Sequence, residues 1–172
     1  MYGATPAQRH ELSTFKVLPA PQLALPASGK SSKSGYPRRV TTRSLQLPKK
    51  VPSTPSAPNA MGPYSFATEA GGLVFLSGQV ALDPATGERR PDDIEIQTRQ
   101  VMDNIGAILG DLGLTYEDIA KTTIFLAEMA DYPKVNEVYG SYFGTEPPAR
   151  SAIQAGALPG GFLVEIEVVA AR

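Results

Sequence analysis

The sequence predicts an α+β fold: a mixed β-sheet with two helices on one face. Three observations point to it. Val101, Ile105, Ile108 and Leu112 follow one another at helical spacing and make one apolar stripe. Val135, Val138, Tyr139 and Tyr142 make a second. The remaining apolar runs are β-branched and aromatic, and the clearest is Phe162 to Ala170. There Val164, Ile166 and Val168 face one side, and Leu163, Glu165 and Glu167 the other. Two amphipathic helices covering one face of a sheet is the economical way to bury both stripes.

Taken in chain order, Tyr64 to Thr68 and Leu73 to Leu76 read as strands around the turn Ala70-Gly71-Gly72. Ser77-Gly78-Gln79 interrupts the second run, and Val80-Ala81-Leu82 continues it. A glycine inside a strand marks a bulge or a close backbone approach. Asp83 to Gly87 is a turn by composition. The first helix starts at Asp92 or Asp93, both good caps, and stops at Gly113. Thr115 to Asp118 has the form of a capping box opening a short turn. Ile119 to Ala127 is a central strand. Asp131 caps the second helix, with Pro133 tolerated in its first turn. Ala149 to Gln154 is a short strand. The order is β-β-α-β-α-β-β. The face away from the helices mixes apolar side chains with Glu165 and Glu167, a pattern that suggests packing on other subunits.

Charge divides the 172-residue chain. Residues 1–50 carry nine basic side chains and one acid, Glu11, for +8; residues 51–172 carry seven basic and sixteen acidic, for −9. The first block also holds six Pro and six Ser and shows no sustained apolar period. Such a segment buries too little apolar area to offset its ordering entropy. Residues 1–58 therefore read as a disordered basic leader, with Leu47 to Pro58 as a Pro-rich linker. Basic, Ser-rich and acid-poor composition is that of an organelle transit peptide, which implies a plastid or mitochondrion. A nucleic-acid-binding arm and a vector-derived extension are the alternatives, and without a transit peptide the location is cytoplasmic. Residues 59–172 suffice for one domain.

Composition excludes whole classes of chemistry. There is no cysteine, and the one histidine is His10. Disulfides, thiolate nucleophiles and Fe–S clusters are out, and Ser-His pairs and histidine metal sites are not expected. No apolar run approaches the roughly 20 residues that span a bilayer. No P-loop, GxGxxG, EF-hand or zinc spacing occurs. Chemistry falls to Arg, Lys, Asp, Glu, Tyr, Ser, Thr, Asn and the backbone.

Arg150 stands out, because it opens a strand directly after Pro147-Pro148-Ala149. A guanidinium so placed can present its fork to a carboxylate, or it can pair structurally with Glu165 or Glu167 on a neighbouring strand. Glu165 sits mid-strand among apolar residues, as a general acid/base or as a satisfied structural carboxylate, and the same holds for Glu167. The Tyr64 phenol can meet a ligand or pack in the core. Gly78 can expose a backbone N–H to an anion or form a plain bulge. Asn136 is a helix-surface residue or a loop cross-link.

Together these segments resemble one family. Asn59-Ala60-Met61-Gly62-Pro63-Tyr64-Ser65, Leu73 to Gln79, Gln97 to Val101 with Asn104-Ile105, Lys121 to Leu126, Val135 to Tyr139, Pro148-Ala149-Arg150-Ser151 and Val164 to Glu167 are similar, in order, to the motifs of the Rid (YjgF) family of reactive enamine/imine deaminases. The resemblance covers residues 59–172 and none of 1–58. It implies a chorismate-mutase-like (YjgF-type) domain forming homotrimers around a β core, with ligands in clefts between subunits. It implies hydrolysis of 2-aminoacrylate and 2-aminocrotonate, the enamine/imine intermediates released by pyridoxal-phosphate dehydratases, to 2-keto acids and ammonia. No cofactor or metal is implied. Carried onto this chain, Arg150 holds the substrate carboxylate and Glu165 orients or activates water. Tyr64 lines the cleft from a neighbouring subunit, and Gly78 and Asn136 shape the pocket. Ala152 stands where many archetypal members have Cys, so only a backbone role survives there, and substrate range rather than reaction type is affected. Some family members have been described as ribonucleases or translation inhibitors, and the −9 of residues 51–172 opposes phosphate binding. A non-catalytic trimer, chaperone-like or sensing 2-keto acids through Arg150, is the third class.

Overall fold

The computed structural model describes residues 48–58, 60 and 62–172. Strands β1 (Ala67–Ala70), β2 (Leu73–Gln79), β3 (Ile119–Leu126), β4 (Ala149–Gln154) and β5 (Val164–Ala171) form one sheet in the order β1-β2-β5-β3-β4. All neighbours are antiparallel except β3 and β4. That parallel pair needs a crossover, which helix α2 (Tyr132–Gly140) supplies. Helix α1 (Ile94–Asp111) and α2 complete the predicted α+β arrangement.

The predicted stripes are the buried ones. Val101, Ile105 and Ile108 of α1 and Val135 of α2 are fully buried. They meet Val74, Leu76, Ile124, Leu126, Val164, Ile166 and Val168 from the covered face of the sheet. The Asp93 carboxylate caps α1, accepting from the backbone N–H of Glu95 and Ile96 at 2.9 Å each. Gly113, at φ +69°, turns the chain out of the helix in a conformation that favours glycine. The Thr115–Asp118 capping box is present. Among the described residues no helix is long and apolar enough to cross a membrane.

Some boundaries move for identifiable reasons. β1 begins at Ala67 rather than Tyr64, because the Tyr64 N–H closes a tight turn onto the Gly62 carbonyl. β2 passes through Ser77-Gly78-Gln79 with a register shift against β5, the expected bulge, but does not resume at Val80. The Asn104 amide of α1 instead takes the carbonyls of Val80 and Leu82, at 3.3 and 2.8 Å, and draws the chain off the sheet. Asp131 stands at the start of α2 without making a side-chain cap, since a 3₁₀ turn over Met129–Asp131 leads into the helix. Tyr142 lies past the end of α2, its ring against Tyr116 at 5.3 Å.

Residues 48–58, expected to be linker, are tied to the body. Lys50 and Glu69 exchange two backbone hydrogen bonds of 2.9 Å, which blunts the free edge of β1. Ser56 gives both its backbone N–H and its hydroxyl to the Asp111 carboxylate, at 2.8 and 2.9 Å. The rest of the proposed leader lies outside the described residues. Ser56→Ala is expected to cost about 1 kcal/mol, the usual worth of one such bond, read as a lowered urea midpoint at unchanged slope.

The other face of the sheet is open within the chain. Leu73, Phe75 and Ile153 are 39 to 48% exposed there, beside Glu167.

Candidate active site

Arg150 is the second residue of β4 and pairs across the ladder with Thr122 of β3. Thr122 is buried on the helix side, so the Arg150 side chain rises on that face, under α2. Tyr132, Asn136 and Tyr139 recur on α2 at helical spacing and present one face to it. The Arg150 Nη2 donates to the Tyr132 hydroxyl at 2.8 Å and to Asn136 Oδ1 at 2.7 Å. The guanidinium also lies 4.8 Å from the Tyr139 ring centre and 5.5 Å from that of Tyr132. The Tyr139 ring is fixed in turn by a 2.8 Å hydrogen bond between its hydroxyl and that of Thr122. Burial pushes the Tyr139 phenol up, partly offset by that bond and by the charge of Arg150. The pocket holds about 430 Å³ and is lined also by Phe143, Pro148 and Ala152.

Among the described residues this cation has no counter-ion. Among the described residues the ion pairs are Arg89–Asp92, Arg90–Asp83 and Arg172–Glu69. A structural pair from Arg150 to Glu165 or Glu167 is not formed, and the register explains why. On β3, Phe125 opposes Glu165 and Thr123 opposes Glu167, whereas Thr122 opposes Arg150 and Ile124 opposes Ala152. One residue of phase puts the two sets on opposite faces of the sheet.

A second cluster occupies the reverse face. Glu165 packs against the β2 bulge so closely that a Cβ on Gly78 would stand 1.9 Å from its Oε1. A side chain at Gly78 would displace the Glu165 carboxyl, under which the bulge brings the backbone. The Ser77 hydroxyl donates to the Ser65 carbonyl at 2.8 Å and the Gln79 amide to the Ser77 carbonyl at 2.9 Å, which pins the bulge. Tyr64, Ser77, Gly78, Val80, Pro159 and Glu165 line a cavity of about 380 Å³. The Tyr64 ring meets Phe66 edge-on at 5.4 Å. Burial, and then the neighbouring charge of Glu167, pushes the Glu165 carboxyl above the ordinary carboxylate range. An acid group raised in the fold is a stability cost when ionised, relieved as pH falls through its folded value. Glu165→Gln is therefore expected to raise the melting temperature at neutral pH, with the gain shrinking toward about pH 4. A constant gain across that range would show that ionisation is not the cause.

The six residues given site roles by the resemblance thus fall into two groups: Arg150 and Ala152 of β4 with Asn136 of α2, and Tyr64, Gly78 and Glu165 on the reverse face. Sequence reasoning missed Tyr132 and Thr122, and took Tyr139 for core alone. The available signal was the recurrence of Tyr132, Asn136 and Tyr139 on one face of α2. Among the described residues no three metal-ligating side chains gather.

Comparison with known proteins agrees with this architecture. The endoribonuclease L-PSP family profile matches residues 54–172. A RutC family protein of Pyrococcus horikoshii is 48% identical over 122 residues, 71% of this chain and 97% of that one. Reactive Intermediate Deaminase A, chloroplastic, of Arabidopsis thaliana is 45% identical over 140 residues, 81% and 75% of the two chains. The 2-iminobutanoate/2-iminopropanoate deaminase of Mus musculus is 44% identical over 124 residues, 72% and 92%. The crystal structure of E. coli TdcF with bound serine superposes with a TM-score of 0.68 at 39% identity, over 72% of this chain and 98% of that one. Fold and sequence together define an L-PSP-type α+β domain. The chain belongs to the endoribonuclease L-PSP family, the Rid (YjgF) family of deaminase relatives.

Proposed function

We propose that the protein hydrolyses small enamine/imine intermediates bearing a carboxylate, such as 2-aminoacrylate and 2-aminocrotonate, to 2-keto acids and ammonia. The observation that carries this reading is the half-buried Arg150 guanidinium, open to a cavity and without a counter-ion among the described residues. It suits an anionic ligand small enough for about 430 Å³. Names of relatives at 44 and 45% identity support the same chemistry. Arg150 and Glu165 stand on opposite faces, so one chain does not unite them. The reading therefore places the site between copies, Arg150, Asn136 and Ala152 coming from one and Tyr64, Gly78 and Glu165 from the next, in a homotrimer. The open apolar face supplies the surface for such packing.

In this scheme the enamine tautomerises to the imine, and the clamp holds its carboxylate. Water adds to the carbon of the protonated imine: its oxygen forms the new C–O bond as the C=N π pair withdraws onto nitrogen, and one water proton passes to the Glu165 carboxylate, giving a neutral carbinolamine. The carbinolamine then breaks its C–N bond as Glu165 returns that proton to the departing nitrogen and an oxygen lone pair closes the C=O bond; ammonia leaves, the hydroxyl proton passes to it or to solvent, and the 2-keto acid remains. Burial raises the Glu165 pKa, which makes its carboxylate a stronger base for taking that proton. Holding water and imine together supplies the remainder as proximity. The acid-poor leader and a chloroplastic relative support delivery to a plastid, with a mitochondrion as the second location.

The test is a coupled assay in which threonine dehydratase generates the enamine and 2-keto acid appearance is followed with and without the full-length protein. Acceleration is expected. None with either serine or threonine as feed would overturn the reading in favour of a non-catalytic binder. The family description favours one competing activity, RNA cleavage; the −9 of residues 51–172 opposes it, and intact RNA after incubation is the expected result.

A further inference from the structure

We infer that Tyr132 is a second donor to the substrate carboxylate, completing a clamp that Arg150 cannot make alone; this rests on the proposed function. A guanidinium grips a carboxylate through two parallel N–H bonds, and both available forks, end-on with Nη1 and side-on with Nε, use Nη2. Nη2 carries two hydrogens, and here two acceptors take them, the Tyr132 hydroxyl at 2.8 Å and Asn136 Oδ1 at 2.7 Å. The fork is thereby engaged within the protein. Nε–H and the two Nη1 hydrogens remain, but no two of them are parallel, so a ligand carboxylate is offered no fork.

Tyr132 supplies the missing donor. Its oxygen accepts from Arg150, so its own hydrogen points elsewhere, and among the described residues no acceptor takes it. The residue lines the same cavity as Arg150. One carboxylate oxygen then meets the guanidinium and the other the phenol. Asn136 holds the guanidinium through its Oδ1.

The test compares full-length wild type with Tyr132→Phe, which keeps the ring beside the guanidinium and removes only the hydroxyl. Two readouts are taken: affinity for pyruvate against its neutral amide by titration calorimetry, and KM and kcat in the coupled assay. Pyruvate affinity is expected to fall about tenfold and KM to rise equally, the worth of one hydrogen bond to a charged group. Affinity for the amide and kcat are expected to stay, since the bond is the same in ground and transition states. A merely structural role would move both ligands together and shift the melting temperature, and would overturn the inference. So would unchanged or tighter pyruvate binding, which would mean that the freed Nη2 hydrogen restores the fork. If the wild type accelerates nothing yet binds pyruvate, the deaminase reading fails and the Tyr132 comparison still decides this one. Absence of pyruvate binding by the wild type overturns this inference, while acceleration in the coupled assay decides the deaminase reading separately.

Discussion

Arg150→Ala is expected to lower kcat/KM in the dehydratase-coupled assay by about 100- to 1,000-fold, since on the proposed reading it removes the charge that faces the substrate carboxylate and a charge-assisted hydrogen bond. The fold should survive. The side chain is half-buried at the edge of a cavity, and the acceptors it releases, the Tyr132 hydroxyl and Asn136 Oδ1, face that same space and can be hydrated. The core row beneath, Thr122 with Tyr139, keeps its own 2.8 Å bond. Circular dichroism and the melting temperature should match wild type within a few degrees, roughly the shift of 1 kcal/mol or less. Full activity in the variant would remove Arg150 from the mechanism.

A larger effect, in the opposite direction, is expected from mixing two dead proteins. Arg150→Ala and Glu165→Gln each disable one face of the sheet. On the proposed composite reading, copies joined head to tail in a closed ring give every cleft its guanidinium from one copy and its carboxyl from the next. Random assembly of the two variants, co-refolded at equal amounts, restores an intact cleft at about a quarter of the interfaces, each half being wild-type about half the time. About a quarter of wild-type activity should therefore appear from two inactive stocks. A mixture that stays dead after subunit exchange has been verified would place both residues in one chain's site and sink the composite reading.

Much of this architecture was legible in the sequence because its signals are local. The stripes of α1 and α2 are periodic, and periodicity reports burial. Asp93 and Gly113 mark helix ends through backbone chemistry that needs no distant partner. The β2 bulge announced itself as a glycine in a strand. The errors lie where distant groups intervene. Val80 to Leu82 has the composition of a strand, yet Asn104 claims two of its carbonyls from α1. Residues 48–58 have the composition of a linker, yet Ser56 finds Asp111, 55 positions away.

The sequence by itself determined the helices, the strand order along the chain, the family and the residue types able to do chemistry. Only the tertiary structure decided which of those residues meet. Arg150 and Glu165 lie on strands that both pair with β3, and chain order alone permits an ion pair between them. Register forbids it: Arg150 is opposite Thr122 and Glu165 opposite Phe125, an odd number of residues apart, so the pleat sends their side chains to opposite faces. The same geometry turns a paired structural arginine into one held by Tyr132 and Asn136 and open to a ligand. Strand pairing is a long-range choice made by the packing of the whole core, and no window of the sequence contains it.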